Sequence, residues 1–253
     1  MLEKLYLELA RKNDRLKQDL IRHVNRFLDT IETDQGVIQR DIKKIPQFQK
    51  SMDEFFEKHG VAFMAWMVYA VDSLLKEAVR NFEDDGATYE EVAFMRDILG
   101  IKGDDVARTR NGQATVLFAL VSMSVIRQDV VNKMQSAMIG NTKMGDFRDA
   151  IEKSVSRKYH DFFEVNAVAV LFNIYNAANR FFAKEYNYKK FRYEGGLIKD
   201  SRDFCIARDG LEFFEEEGER WNDLEWAGKM PGVDFFVQLG GWNCRHWLVW
   251  LKD

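Results

Sequence analysis

Cys205, Cys244 and His246 are the residues of this sequence whose types could do chemistry together. Thiolates and an imidazole are zinc donors. The Cys244-x-His246 end is tighter than the usual zinc pair, and Cys205 stands far upstream. A structural zinc takes four ligands, and this set offers three. The fourth would have to be Asp203, Asp209 or a residue from elsewhere, since His23, His59 and His160 belong to the helical part of the chain. The expectation is therefore that Cys205 and Cys244 meet as two small buried hydrophobes, with no cofactor. Zinc on Cys205, Cys244 and His246, or a disulfide, stays open as an alternative. Cys244 and His246 would share a side on an extended strand, as a nucleophile and its base do. The sequence names no group to orient the histidine and no oxyanion donor, so neither catalytic residues nor enzyme activity is expected.

These residues lie in a stretch from Lys199 to Leu251 that also holds five of the six tryptophans, Trp221, Trp226, Trp242, Trp247 and Trp250. Base stacking is one use for such rings. The segment is acidic and short, so the tryptophans are read as its core. The runs Glu215-Glu216-Glu217 and Glu83-Asp84-Asp85 are read as solvated helix ends. No phosphate-binding glycine loop with a following lysine is present.

The elements that must position this stretch are helical. Leu16, Leu20, Val24, Phe27 and Ile31 form one apolar stripe in the first 45 residues. That stripe packs on the protein's own body or on a neighbouring subunit. Thr33 to Gly36 is a candidate break, and Pro46 is expected to end the helix. A short helix over 47–58, a stop at Gly60 and an apolar helix over 61–82 follow. Thr88 and Glu91 make a capping box for a helix from Tyr89 to Leu99. Gly100 and Gly103 bracket a tight connection, with Asp104 as a cap. Further helices are expected over 113–138, with Gly140 as a left-handed end, from Thr142 to Tyr159, and from Asp161 to Tyr188. The helical period fails near Phe191. Gly210 to Phe214 and Trp247 to Leu251 then read as strands. The expected fold is mainly α, a long-helix body followed by a small α+β C-terminal cap. The expected division is 1–135, 136–190 and 191–253.

With 253 residues and 46% hydrophobic residues the chain is long enough for a sizeable core, and two prolines favour long helices. A net charge of −4 argues against tight, sequence-independent DNA binding. Two cysteines point to a reducing compartment. No targeting signal and no membrane span is expected, because the longest apolar runs, 61–71 and 114–126, fall short of the ~20 residues needed.

One family resemblance rests on the closing residues. Arg202, Cys205, Gly210, Phe213, Trp221 and Trp226, then Gly240-Gly241-Trp242-Asn243-Cys244-Arg245-His246, resemble the C-terminal pattern of the phage Mu F-like minor head proteins, also called head morphogenesis proteins. Ile139 to Thr142 and the helix from Asn166 through Arg180 to Tyr193 are also similar. The likeness runs from about Gly140 to Trp250. Asp203 stands where the family often has proline, and Trp242 where it often has tyrosine. The resemblance implies a structural protein of the virion, placed in the head interior after assembly in the host cytoplasm. It would be present in several copies per particle and would bind the portal protein and capsid subunits. Some family members are thought to engage the packaged DNA or its ejection. It also implies structural roles for Arg202, Cys205, Gly240, Gly241, Asn243, Cys244, Arg245 and His246, with Arg202 and Arg245 pinning the junction of the two motif ends. Family members with further activities carry an extra toxin or transferase domain behind the motif. The chain ends seven residues after His246, so none is expected here. The alternative function is a zinc-stabilised nucleic-acid-binding module.

Overall fold

The computed structural model describes residues 2–31, 33–39, 43–98, 112–140, 142–160, 168–242 and 244–252. Asn243 and the expected connection around Gly100, Gly103 and Asp104 lie outside them. The fold is mainly α with a small α+β cap at the C-terminal end. No helix among the described residues is long and apolar enough to cross a membrane. The chain divides into two compact units. One comprises 3–66 and 113–164. The other comprises 1–2, 67–112 and 165–253.

The first unit is built on α1 (Leu2–Leu28), the first part of α2 (Lys44–Arg80), most of α4 (Gly112–Ile139) and α5 (Met144–Tyr159). Between α1 and α2 sits a hairpin of β1 (Thr33–Asp34) and β2 (Val37–Ile38). Gln35 and Gly36 both take positive φ, 49° and 81°, which matches the twist of a two-residue hairpin turn. This hairpin meets the start of α5 through Ile38 N–H to Thr142 O (3.0 Å) and Met144 N–H to Gly36 O (2.8 Å). The α1 stripe is used inside the unit. Leu16, Leu20, Val24 and Ile31 are buried, and the Phe27 ring lies 4.9 Å from that of Phe48 on α2.

Two breakers act differently from the expectation. Pro46 does not end a helix but sits in the first turn of α2, where a missing N–H costs nothing because no intrahelical acceptor faces it. Gly60 does not interrupt the helix, which runs through from Lys44 to Arg80. A mid-helix glycine costs only about 1 kcal/mol relative to alanine. The buried Met52, Phe55, Trp66 and Met67 on either side outweigh that. Gly140 also departs from the expected left-handed end. It is absent from the positive-φ glycines, and its N–H continues the helical pattern to Ser136 O at 2.9 Å.

In the second unit, α3 (Tyr89–Ile98) begins at the expected box, with Thr88 N–H donating to Glu91 Oε2 at 2.7 Å. Helix α6 (Val168–Glu185) buries Ala169, Phe172, Tyr175, Ala178 and Phe182. Asn81, just past α2, donates from Nδ2 to Tyr175 Oη (3.0 Å) and Asn179 Oδ1 (2.9 Å). The cap follows as β3 (Lys190–Glu194), α7 (Asp203–Ile206), β4 (Glu212–Phe214), α8 (Glu215–Trp221), α9 (Phe235–Gln238) and β5 (Trp247–Leu251). Its sheet has the order β4-β3-β5, antiparallel throughout, with Phe191 opposite both Phe213 and Trp250. Phe191 and Tyr193 are fully buried and alternate with more exposed Lys190, Arg192 and Glu194, the period of a strand with one wet face. The cap packs on α6 through α9 and β5. Trp221 and Trp250 belong to its core, as expected, but Trp226 and Trp247 are only half-buried and Trp242 is exposed.

Candidate functional site

The two ends of the sequence motif meet beneath the central strand of the cap. Short helix α7 presents Cys205 from one side. The turn after α9 presents Gly240 and Cys244 from the other, and the approach to β5 brings in His246. The sulfurs of Cys205 and Cys244 lie 4.0 Å apart. His246 Nδ1 is 3.4 Å from Cys244 Sγ. The hydroxyl of Tyr193 on β3 reaches both sulfurs, at 3.4 Å from Cys205 and 3.7 Å from Cys244. The ring of Tyr193 stacks on that of His246 at 4.7 Å.

Backbone without side chains makes this closeness possible. A Cβ on Gly240 would stand 2.3 Å from Cys205 Sγ and 2.9 Å from Cys244 Sγ. A Cβ on Gly195 would strike the His246 Cα at 2.6 Å. Gly240 also donates its N–H to Cys244 Sγ at 3.3 Å. Just before it, buried Leu239 holds φ 47° and ψ −112°, a strained conformation for a residue with a side chain. Gly241 takes φ 91° and lies directly against the carbonyl of Gly228.

Arg202 locks this turn from outside. At the N-cap of α7 it donates from Nη1 to Gly240 O (3.3 Å) and from Nη2 to Trp242 O, with its guanidinium packed on Gly228. One planar fork thus holds two carbonyls of the motif's far end. Arg202→Ala is expected to remove about 1–3 kcal/mol of stability, and Arg202→Lys should not restore it, because an ammonium lacks the fork. Urea unfolding followed by tryptophan fluorescence reads this directly, since most of the indoles lie in the cap. Arg245, half-buried, lies between Cys244 and His246.

Asp209 completes the group in a way the sequence did not specify. Its Oδ1 lies 3.3 Å from His246 Nε2, on the far side of the ring from the thiols, although the pair is outside hydrogen-bond alignment. The same oxygen accepts the N–H of Gly196 at 3.0 Å, which fixes it. Tyr193 and the turn of Asp209 are tied together by the main chain, with Gly210 N–H to Tyr193 O at 2.8 Å and Tyr193 N–H to Leu211 O at 3.0 Å. The sequence offers Asp209 as one candidate fourth ligand. It stands instead behind the histidine.

The electrostatics follow from the geometry. The Cys244 thiol is pulled well below its ordinary value, chiefly by the bond from Cys205 and then by His246. The Cys205 thiol is pushed up by the same bond and by burial. The contact between the two sulfurs thus moves them in opposite directions, Cys244 towards the thiolate and Cys205 away from it. Burial, followed by the neighbouring Cys244, pushes the Tyr193 phenol up and keeps it a neutral donor.

Cysteine, histidine and carboxylate in a row also outline a nucleophile, base and orienter. The group is closed from solvent in this structure: Cys205 is 3% exposed, Cys244 8% and His246 4%. The two sulfurs and one ring nitrogen lie within 4.8 Å of one another, a donor set of the zinc type. His23 and His59 belong to the other unit, where His23 bonds Ser51 Oγ at 2.7 Å and His59 stacks on Phe55.

No family model, no curated protein and no solved structure matches this chain.

Proposed function

We propose that this chain is a structural minor head protein of a tailed bacteriophage, similar to the portal-associated head morphogenesis proteins, and that it has no catalytic role. The observation that carries the reading is the convergence of the motif. Arg202, Cys205, Gly240, Gly241, Cys244 and His246, six of the residues on which the resemblance rests, meet at one junction. The pattern therefore acts as a unit that fixes the cap rather than as scattered coincidences. The net negative charge gives little help to sequence-independent binding of the packaged DNA.

The test is composition and assembly. Purified particles of the phage encoding this chain should contain it in several copies, and portal rings should co-purify with the tagged protein. Complete, infectious particles that lack the chain would sink the proposal. The zinc-stabilised nucleic-acid-binding module stays as the second reading because of the Cys205, Cys244 and His246 cluster. Retention on DNA that falls steeply with added salt would favour it.

A further inference from the structure

We propose that Cys205, Cys244 and His246 bind one zinc ion that staples the two ends of the cap, with the Tyr193 hydroxyl facing its fourth position. This inference is independent of the proposed role in phage heads.

Two of the three donor separations match a tetrahedral thiolate site, and the third, Cys205 Sγ to the His246 ring, sets the 4.8 Å span of the group and closes by about 1 Å around the ion. Two sulfurs each about 2.3 Å from zinc stand about 3.8 Å apart at a tetrahedral angle, and a sulfur and an imidazole nitrogen about 3.5 Å. The observed separations are 4.0 Å and 3.4 Å. A phenol oxygen at the fourth corner would lie about 3.5 Å from each sulfur, against 3.4 Å and 3.7 Å here. A disulfide would need the sulfurs about 2 Å apart, roughly half the distance seen.

The surroundings match as well. A histidine that ligates metal through one ring nitrogen places its other N–H on a carboxylate or carbonyl. Asp209 Oδ1 waits at 3.3 Å from His246 Nε2, itself a buried nitrogen with no aligned partner. The Gly240 N–H on Cys244 Sγ is the kind of donor that stabilises a bound thiolate. Gly195 and Gly240 leave no Cβ in the space the ligands occupy. Two thiolates neutralise the dication, their protons leaving to solvent, so the buried site carries no net charge when filled. Soft thiolates with imidazole select zinc over magnesium or calcium. Holding a small unit together is a common use of such an ion.

The full chain is expressed with zinc in the medium, purified without chelator, and analysed for metal. About one zinc per chain is expected. Cobalt in its place should give thiolate charge-transfer bands and intense visible bands of a tetrahedral ion. Cys205→Ser, Cys244→Ser and His246→Ala should each lower affinity at least ~10-fold. His246→Cys, which keeps a donor there, should retain the metal, and this separates ligand loss from simple unfolding. Chelator should lower the thermal midpoint by roughly 10 °C. The proposal is overturned if both thiols of the folded protein react freely and less than about a tenth of an equivalent of zinc or cobalt binds. A Cys205–Cys244 disulfide in protein kept under reducing conditions would also overturn it. So would full metal content in the serine variants.

Discussion

Gly241→Ala is expected to unfold the C-terminal cap. The residue has φ 91°, where an alanine is strained by about 1 kcal/mol or more. The larger cost is steric. A Cβ there would sit 2.1 Å from the Gly228 carbonyl oxygen and 2.5 Å from its carbon. These are backbone atoms, held in turn by Trp242 N–H donating to Gly228 O at 2.6 Å and by Arg202 packed on the Gly228 Cα. Neither side can rotate away, as a flexible side chain would. The combined loss should reach about 3–5 kcal/mol, the range of severe core overpacking. Because five of the six tryptophans lie beyond Lys199, near-ultraviolet circular dichroism should lose most of its indole signal, while helices α1, α4 and α5 keep the far-ultraviolet signal. Gly240→Ala should cost less, because the atoms it meets first are the sulfur of Cys205 and then that of Cys244, side chains that can give at the expense of their spacing. An unchanged indole signal and midpoint for Gly241→Ala would show that the Gly228–Gly241 contact is not rigid.

Gly241 is legible in the sequence as part of a motif, but its contact with Gly228 is not. Gly228 lies in a loop with no distinguishing pattern, and only the fold brings it to Gly241. Features with a local period were readable. The stripe from Leu16 to Ile31 and the apolar runs ending at Phe214 and Leu251 became a buried helix face and two strands. Strand β3 was harder, because its alternation has only two apolar positions, Phe191 and Tyr193. Gly60 misled because its helix penalty is small beside the burial of neighbouring side chains, and Pro46 because it opens a helix where its missing N–H costs nothing. The site follows the same division. Cys205, Cys244 and His246 announce themselves by type. Asp209 and Tyr193 do not, since their place depends on β3 pairing with β5 and on the turn that ties Gly210 back to Tyr193. A carboxylate four residues after a cysteine carries no signal by itself.

Glu215→Gln is the second substitution expected to act strongly, and it does so through Arg180. This arginine projects from α6 into the cap, 9% exposed, with its guanidinium 3.9 Å from the centre of the Phe236 ring. Glu215, 7% exposed, accepts from Arg180 Nη1 at one oxygen and from Lys189 Nζ at the other (3.0 Å). Glu219 touches Arg180 Nη2 at 3.3 Å but is more than half exposed and compensates weakly. Removing the buried charge leaves the guanidinium desolvated without its main partner, which costs about 2–4 kcal/mol. The double substitution Arg180→Met with Glu215→Leu should recover more than half of that loss, because it removes both charges from the interior. If the double variant is as unstable as Glu215→Gln, packing on Phe236 rather than the ion pair is what Arg180 supplies.

The same pair sets an acid limit. Burial alone pushes the Glu215 carboxyl up, but the bonds from Lys189 and Arg180 more than offset it and hold it below its ordinary range. A carboxyl depressed in the folded state contributes stability that is fully present above its unfolded value of about 4.3 and is lost as pH falls through the folded value. The wild-type cap should therefore weaken below about pH 4, whereas Glu215→Gln, already without the charge, should show a flatter slope over the same range. Chemical denaturation at a series of pH values measures both curves. Parallel slopes in the acid range would mean that other carboxylates, not Glu215, control the transition.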